Sequence, residues 1–290
     1  MAFDVYKIVT DRIIAMLEKG AIPWKRPWTG AGRYAIKRTT GEPYSLLNQL
    51  LLGKLGEYLS FNQCKKEGGK IKKGAKAKIV VFWRILDRVR TAEDGHTVLD
   101  ANGQPVFDHI PYLQYSNVFH IDDCEGIEPR NYTDERRDFN PIEKAESVIA
   151  DYVARSGIGF FHEDQGQAYY SPAYDKVVLP MKEQFTTEAG YYDTAFHELT
   201  HSTGHKTRLN RFAEGVMTFG NEIYSKEELV AELGSATILN ALGIETEDTI
   251  QNNAAYIQNW LKALKNDKRL IVSAAAKAEK AAQLIFPDIA

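Results

Sequence analysis

Residues 197–201 read His-Glu-Leu-Thr-His, within a segment over residues 187–203 whose apolar pattern and flanking threonine and glycine predict a helix. Residues four positions apart lie on the same face of a helix, about one turn from each other. The imidazoles of His197 and His201 can therefore bind one metal ion, and nitrogen ligands suit Zn²⁺. Two helical histidines could instead be packed or solvated. Three of the seven histidines fall within residues 197–205, however, which favours a metal site.

The acidic residue of this motif, Glu198, is rotated by about 100° from His197 around the helix axis and points beside the metal. Its carboxylate could accept a proton from a water molecule at the metal and pass it to a leaving amine. This H-E-x-x-H spacing is typical of zinc-dependent peptidases. The sequence therefore predicts a peptidase-type metal site with Glu198 as the catalytic residue.

A catalytic zinc site needs a third protein ligand, with the fourth position left to water. One candidate is His205, four residues beyond His201, but Gly204 is expected to end the helix before it. The metzincin pattern would place a third histidine at position 207, which is Thr207. The chain is therefore not a metzincin.

The next predicted helix, over residues 225–234, offers two carboxylates on one face, Glu228 and Glu232. One can bind the metal while the other orients a ligand histidine. We predict Glu228 as the ligand and Glu232 in support, and the reverse order stays open. Glu228 lies three residues after Ser225, so its alternative role is that of a capping-box glutamate.

Composition and length predict a globular protein with two domains. The chain has 290 residues, of which 44% are hydrophobic and 26% are charged. No apolar run approaches the roughly 18 residues of a membrane span, and the N-terminus lacks the layout of a secretory signal. Cys64 and Cys124 form no metal-binding pair and are expected to be reduced. We therefore expect a cytoplasmic protein with no membrane partner.

Charge is distributed unevenly along the chain. Residues 1–90 hold 19 basic and 7 acidic residues, whereas residues 91–290 hold 17 basic and 32 acidic residues. Such an asymmetry indicates a basic module for a polyanion, joined to a module with another task.

The basic part also interleaves cations with aromatic rings. Residues 22–28 read Ile-Pro-Trp-Lys-Arg-Pro-Trp, and seven lysines occupy residues 65–78, before an apolar strand predicted at 79–83. Rings flanked by cations suit single-stranded nucleic acid, although the tryptophans could instead seal the first helix onto the core. No motif for reading duplex sequence is present. The candidate DNA-binding residues are Trp24, Lys25, Arg26, Trp28, Arg33, Lys37, Arg38, Lys72, Lys73 and Lys76.

Periodicity and turn residues predict the remaining elements. Helices are predicted over residues 4–19, 45–56 and 141–155, with a short helix that begins at the capping box of Ser60. Two strands are predicted over residues 168–172 and 176–180. A strand pair just before the His-Glu-Leu-Thr-His helix could hold an extended peptide by edge pairing.

The whole chain resembles the ArdC-type antirestriction proteins of conjugative plasmids. The resemblance rests on residues 22–28, 41–44, 72–74, 81–83, 196–205, 208–211 and 227–234. It implies an N-terminal single-stranded-DNA-binding domain and a C-terminal zincin-like metallopeptidase domain. The polar run over residues 128–138 is the best linker candidate. We therefore predict a two-domain α+β fold with the DNA-binding domain over residues 1–125, a linker over 126–141 and the metallopeptidase domain over 142–290. The resemblance further implies a plasmid or mobile-element gene and a role in shielding incoming plasmid DNA from restriction.

Competing functions stay open at this point. A DNA-binding shield or decoy could carry a structural or vestigial metal site. A metal-dependent nuclease is less favoured, because two-metal nucleases use more carboxylates. The expected partners are single-stranded DNA and an unidentified protein substrate, with the host restriction machinery as its candidate source. The expected cofactor is Zn²⁺, with another divalent metal such as Mn²⁺ as the alternative.

Overall fold

A computed structural model of the chain describes residues 4–19, 22, 24, 34–130, 141–214, 222–244 and 250–289. The α+β class is confirmed. The helices are α1 (Val5–Leu17), α2 (Leu46–Leu52), α3 (Phe61–Lys66), α4 (Pro141–Ser156), α5 (Glu188–Ser202), α6 (Glu222–Leu242), α7 (Ile250–Asn266) and α8 (Leu270–Ile285). The strands are β1 (Ala35–Lys37), β2 (Gly56–Leu59), β3 (Lys70–Ile71), β4 (Lys78–Val89), β5 (Phe107–His120), β6 (Cys124–Glu125), β7 (Gly159–Glu163), β8 (Tyr169–Ser171) and β9 (Lys176–Pro180). In the described part of the chain, every helix is too short or too polar to cross a membrane.

The N-terminal half is built on a four-stranded sheet in the order β1-β2-β5-β4. β1 and β2 are parallel, and the other neighbouring pairs are antiparallel. The capping box predicted at Ser60 is confirmed, since its hydroxyl accepts from the Gln63 backbone N–H at 3.3 Å and its own N–H donates to the Gln63 side chain at 2.6 Å. The strand predicted at 79–83 is longer than expected, because β4 continues beside β5 as far as Val89.

The C-terminal half packs its helices around a three-stranded sheet in the order β7-β9-β8. Both strands predicted before the His-Glu-Leu-Thr-His helix are present as β8 and β9, and β8 lies at an edge. Thr187 caps α5, because its hydroxyl accepts from the Gly190 backbone N–H at 3.0 Å. Phe196 and Leu199 of α5 are fully buried in a cluster that also contains residues of β9, α4 and α6, so the helix is held between the sheet and its neighbouring helices.

One hydrophobic core joins the two halves. Val9, Ile13 and Leu50 from α1 and α2 belong to the same buried cluster as Leu233 of α6 and Ile271 of α8. The predicted linker over 126–141 lies largely outside the described residues, and the domain boundaries stay predictions. The buried cluster nevertheless contains residues from both sides of the predicted domain boundary.

The structure corrects two of the predicted DNA-binding positions. Trp24 is 2% exposed, and its ring packs edge-to-face on Trp260 with centroids 5.1 Å apart. Arg38 is buried in ion pairs with Glu57 and, at 2.8 Å, with Glu67. A ring sealed in the core cannot stack on a base, and a guanidinium held by two carboxylates has little capacity left for phosphate. Both residues are therefore structural.

We expect a fragment that ends at Arg130 to fail to fold cooperatively. It would expose side chains such as Val9, Ile13 and Leu50, whose burial contributes about 1.5–3 kcal/mol each, and a whole domain is stable by only about 5–15 kcal/mol. The measurement is thermal unfolding followed by circular dichroism, with the full chain as the control. A cooperative unfolding transition of the isolated fragment would contradict the shared core.

Candidate metal centre

Two adjacent helices bring the predicted ligands together. The Nε2 atoms of His197 and His201 on α5 lie 3.1 Å apart. The Glu228 carboxylate on α6 lies 3.3 Å from Nε2 of His201 and 3.6 Å from Nε2 of His197. Among the described residues, this is the one group of three or more potential ligands whose atoms all lie within 4.8 Å of one another.

These distances fit a single metal ion. Nitrogen and oxygen ligands lie about 2.0–2.2 Å from Zn²⁺, and at tetrahedral angles they are therefore about 3.3–3.6 Å from one another. The three separations measured here are 3.1, 3.3 and 3.6 Å, of which the last two involve different oxygens of Glu228. One ligand atom from each residue gives a set within 4.8 Å, so a single Glu228 oxygen needs only a small shift to complete the site. The donor set of two imidazoles and one carboxylate also leaves a coordination position for water.

The alternative assignments of the third ligand are less well placed. Glu232 is outside the group of converging ligand atoms. It lies close enough for its negative charge to contribute to the raised pKa of His197. Ser225 cannot cap α6, because the helix begins at Glu222, so the capping-box role of Glu228 is wrong.

His205, the other candidate ligand, is held elsewhere. Its Nδ1 lies 2.8 Å from the Thr207 hydroxyl and 3.7 Å from the carboxylate of Asp175. That carboxylate is also paired with Arg208 and accepts from the Tyr170 hydroxyl at 2.8 Å. The cluster ties the turn between β8 and β9 to the end of α5.

Close packing of α5 on α6 sets the distance between the histidines and Glu228. Gly234 of α6 faces Thr200 of α5, and a Cβ atom on Gly234 would lie 2.6 Å from Thr200 Cγ2. Real Cβ atoms essentially never approach another atom that closely. The absence of a side chain at position 234 therefore permits the helix spacing on which the site depends.

A buried ion pair between Glu227 and Arg211 lies beside the Nδ1 atom of His201. The sequence analysis assigned no role to either residue of this pair. Glu227 lies 3.6 Å from Nδ1 of His201 and is bound by the Arg211 guanidinium at 2.5 and 3.1 Å. Arg211 also donates to the Thr203 hydroxyl at 2.6 Å and to the Thr200 carbonyl at 2.9 Å. At 3.6 Å the contact between Glu227 and His201 is an ion pair and not a hydrogen bond, and Nδ1 of His201 has no hydrogen-bond partner in the described part of the chain. A carboxylate beside the far nitrogen of a ligand imidazole raises the basicity of that imidazole. The adjacent pair Glu227-Glu228 was the signal available in the sequence, because neighbouring helical carboxylates face different directions.

The electrostatics of the site favour a cation. Burial lowers the pKa of His201, but the carboxylates of Glu227, Glu228 and Glu198 outweigh it and raise that pKa to about 10. For the Glu228 carboxyl, burial raises the pKa, but the interactions with His197 and His201 outweigh burial and bring that pKa well below its ordinary value. The same carboxylates that would hold protons on the histidines would stabilise a divalent metal between them.

Glu198 is buried beside these ligands. No residue in the described part of the chain forms a hydrogen bond or ion pair with its carboxylate, although its charge contributes to the raised pKa values of both histidines. A carboxylate without a fixed partner next to a metal site is available for proton transfer.

The predicted DNA-binding residues have different surroundings. Lys25, Arg26, Trp28 and Arg33 lie outside the described residues. Lys72, Lys73 and Lys76 are exposed between β3 and β4, and the Lys72 ammonium donates to the Asp122 carbonyl at 2.7 Å. Lys37 is half-exposed and pairs with Glu42 at 3.1 Å.

A groove between α2, β4 and α8 adds residues that the sequence analysis missed. Its volume is about 740 Å³, and its lining includes the predicted Lys37 together with Tyr44, Phe82, Trp83, Glu279 and Lys280. The sequence analysis treated 79–83 as a buried strand. Neighbouring strand residues point to opposite faces, however, so Phe82 and Trp83 could not both enter one core. Their side chains are 37% and 54% exposed.

Comparison with known proteins connects both halves to described families. Residues 3–119 match the N-terminal domain of anti-restriction factor ArdC, and residues 144–277 match the zincin-like metallopeptidase family. The metal-free crystal structure of the antirestriction ArdC protein from the R388 plasmid is 34% identical, with a TM-score of 0.75 over 99% of this chain and 98% of that one. The Mn(II)-bound structure of the same protein is 33% identical, with a TM-score of 0.73 over 99% of both chains.

Relatives known from sequence include chains much longer than this one. Two Escherichia coli proteins are named DNA primase TraC. One is 33% identical over 95% of this chain, and the other is 34% identical over 94% of it. The chain spans only 19% and 26% of their lengths. The uncharacterized protein y4eC of Sinorhizobium fredii is 30% identical over 96% of this chain and 90% of its own length.

We expect purified protein to retain about one divalent metal ion, because three protein ligands hold the metal in a catalytic-type zinc site and leave the fourth position to water. His197→Ala removes one ligand and should abolish metal retention, measured by elemental analysis. His205→Ala is the matched control, because His205 lies outside the ligand group, and it should retain the metal. Metal retained by His197→Ala would refute the site.

Gly234→Ala should separate α5 from α6 and weaken the metal site from a distance. The added Cβ overlaps Thr200, and overpacking of this kind costs about 1–3 kcal/mol. Thr200→Ala removes the two closest contacts and leaves the nearest atom at 3.3 Å, so the double variant should regain metal and melting temperature. Unchanged metal affinity in Gly234→Ala would show that the helix spacing is not limiting.

Proposed function

The chain belongs to the ArdC family of antirestriction proteins, and on that premise we propose that it binds single-stranded DNA, hydrolyses peptide bonds at a divalent-metal site and protects incoming plasmid DNA from restriction during conjugation. The observation that carries the peptidase part is the convergence of His197, His201 and Glu228 beside the uncommitted carboxylate of Glu198. The proposed setting is the bacterial cytoplasm. The candidate source of the protein substrate is the host restriction machinery.

The proposed metal is Zn²⁺, because two imidazoles and one carboxylate form the ligand set of many peptidase sites. Mn²⁺ is the alternative, and the R388 relative was crystallised with it. When bound, such an ion supplies Lewis acidity, which lowers the pKa of a coordinated water and polarises a substrate carbonyl.

The other roles in the proposed reaction belong to Glu227, Glu198 and strand β8. Glu227, held by Arg211, places its negative charge 3.6 Å from Nδ1 of His201 and so raises the basicity of that imidazole. Glu198 accepts the proton of the attacking water at its carboxylate and later donates a proton to the leaving amine nitrogen. β8, an edge strand of the sheet packed on α5, offers free backbone groups to an extended substrate.

DNA binding is proposed for the basic N-terminal half. The groove between α2, β4 and α8 is lined by the exposed ring of Trp83 together with Lys37 and Lys280. Rings that stack on bases and ammonium groups that contact phosphates are the components of non-specific single-strand binding. Lys72, Lys73 and Lys76 lie in the turn that leads into β4, and they extend the positive charge at that end of the strand.

The position of the metal site supports one competing function. His197, His201 and Glu228 come from two different helices, so a metal ion there would also link α5 to α6. In a DNA-binding shield or decoy, the metal would serve stability alone and Glu198 would be dispensable.

Glu198→Gln separates the two functions, because it preserves the shape of the side chain and removes its basicity. For a peptidase we expect proteolysis to fall by about 10²–10⁴-fold while the metal is retained. The measurement is proteomics of protein termini in cells that carry the wild type or the variant. Transfer of a plasmid into a restricting recipient gives the second readout, and full protection by Glu198→Gln would favour the shield.

We expect Trp83→Ala to weaken binding of a labelled oligo-dT strand, because a lost stacking ring costs roughly 1–3 kcal/mol. Phe61→Ala is the matched control, since Phe61 is 58% exposed on α3 and outside the groove. Fluorescence anisotropy measures both affinities. Equal losses, or no loss in Trp83→Ala, would remove this groove from the DNA path.

The triple reversal of Lys72, Lys73 and Lys76 to Glu tests the charge contribution. Each phosphate contact to a single strand contributes about −0.7 to the slope of log affinity against log salt, so losing three should flatten it by roughly two units. Metal content should not change, because the ligands lie on α5 and α6. A variant that keeps its affinity and its salt slope would show that these lysines are only solvated.

A further inference from the structure

A second cavity adjoins the groove between α2, β4 and α8. This side cavity lies between α2, α6 and α8, and its volume is about 350 Å³. Small-molecule sites in proteins occupy about 300–1,000 Å³. Four residues line both the groove and the side cavity: Tyr44, Ser45, Glu279 and Gln283. A ligand in the groove can therefore extend one of its groups into the side cavity.

The walls of the side cavity suit a flat and mostly apolar group. The lining combines two aromatic residues with small and aliphatic ones: Tyr34, Tyr44, Leu46, Leu50, Ala236, Ala282 and Ile289. Gln49 also lies there, but its amide is already used, since it pairs with the backbone of Ala35 and donates to the Tyr44 carbonyl at 3.0 Å. Apolar and aromatic walls of this kind favour an aromatic ring of a ligand.

Glu279 places a negative charge where the groove and the side cavity meet. Among the described residues that line the side cavity, it is the one whose side chain is charged. Its Oε1 atom accepts from the Leu46 N–H at 3.2 Å, and within the described part of the chain its Oε2 atom has no hydrogen-bond or ion-pair partner. An ionised carboxylate accepts hydrogen bonds and donates none. The free oxygen therefore suits a ligand with an N–H or O–H donor.

The next residue, Lys280, carries the opposite charge and lies in the groove. Its side chain is exposed on α8 and forms no ion pair with any residue that the structure describes. Neighbouring residues of a helix point about 100° apart. A nucleotide combines a phosphate with a base, so its phosphate can contact Lys280 in the groove while its base reaches Glu279 in the side cavity.

A lysine side chain of a partner protein is another donor that a carboxylate would accept. It would have to approach past Lys280 and Lys37, which line the groove, and like charges disfavour that approach. The groove lining also includes the exposed ring of Trp83, on which a neighbouring base of the same strand can stack. Charge and shape together favour a nucleotide of a single strand.

The nucleobases differ in what they present to a carboxylate. Cytosine, adenine and guanine carry exocyclic amino groups, and a glutamate that accepts from N4 of cytosine is an established form of base readout. Thymine and uracil carry carbonyl oxygens instead, and their one ring N–H lies between two of those oxygens. A carboxylate that faces a carbonyl oxygen leaves both acceptors unpaired, which is costly away from water.

We propose that the side cavity receives one base of a bound single strand and that Glu279 selects bases with an exocyclic amino group over thymine and uracil. Lys280 contacts a phosphate of the same strand. Turning out the base costs little, because a single strand has no paired base to lose. This proposal rests on the single-strand binding proposed for the groove, and it adds a preference for certain bases.

The test compares binding of oligo-dC and oligo-dU of equal length to the full chain. Cytosine and uracil have the same ring size and differ only along the edge that carries the amino or the carbonyl group. Fluorescence anisotropy of fluorescein-labelled strands should show at least about fivefold tighter binding of oligo-dC.

Glu279→Gln tests the reading of the base. The amide keeps an acceptor for the Leu46 N–H and offers the base both an acceptor and a donor, so the ratio of the two affinities should fall to within about twofold. Glu42→Gln is the matched control, because Glu42 is exposed, pairs with Lys37 and lies outside both linings. It should change both affinities by the same factor and keep their ratio.

Ala236→Leu tests the cavity itself. Ala236 is half-buried on the α6 wall, and a larger side chain there would occupy space that the base needs. The variant should lose the preference for oligo-dC and bind oligo-dU like the wild type. Its melting temperature and metal content should be unchanged, which would show that α6 keeps its place.

The outcomes separate this proposal from the one on which it rests. Equal binding of oligo-dC and oligo-dU, or a preference that survives Glu279→Gln or Ala236→Leu, would overturn the base site and leave single-strand binding intact. Absence of binding by either strand would refute both. Competition by lysine with blocked ends at matched ionic strength, if lost in Glu279→Gln, would instead assign the cavity to a lysine side chain of a partner protein.

Discussion

The contact between α5 and α6 is the constraint on which the site depends. The metal ligands come from both helices, so the helix spacing decides whether three donor atoms can meet around one ion. Gly234 against Thr200 makes that spacing possible, and the buried pair of Glu227 and Arg211 holds it from the other side. A buried ion pair contributes little to net stability, since desolvation offsets most of the attraction. Its value here is electrostatic, because Glu227 places its negative charge beside the far nitrogen of His201.

The shared core makes the two halves mechanically dependent on each other. α6 carries Glu228 on one part of its surface, and through Leu229 and Leu233 it contributes to the cluster that also contains α1 and α2. A change in the N-terminal half that shifts α1 or α2 would also displace the Glu228 carboxylate, since packed interiors transmit small displacements. The groove of Phe82 and Trp83 is bounded by α8 from the other half, so the proposed DNA surface is itself formed by both.

The N-terminal half separates two kinds of surface along one hairpin. Near the sheet, β4 is flanked by lysines and by a groove with aromatic rings. Beyond Arg84, the same strand exposes the aliphatic side chains of Ile85, Leu86 and Val89. The base of the hairpin and its outer part therefore differ in side-chain chemistry, although they belong to the same strand.

The sequence by itself determined the local features. The capped helix over 187–203, the shared face of His197 and His201, the place of Glu198 beside them and the strand pair before them all follow from periodicities within one element. The choice of Glu228 over His205 also followed, because Gly204 ends the helix. Tertiary structure alone decided what depends on contacts between distant segments. It placed Glu227 behind His201, sealed Trp24 against Trp260, and paired Arg38 with Glu57 and Glu67. A tryptophan or arginine has the same local pattern whether it faces solvent or a partner far along the chain, and only the packed fold distinguishes the two.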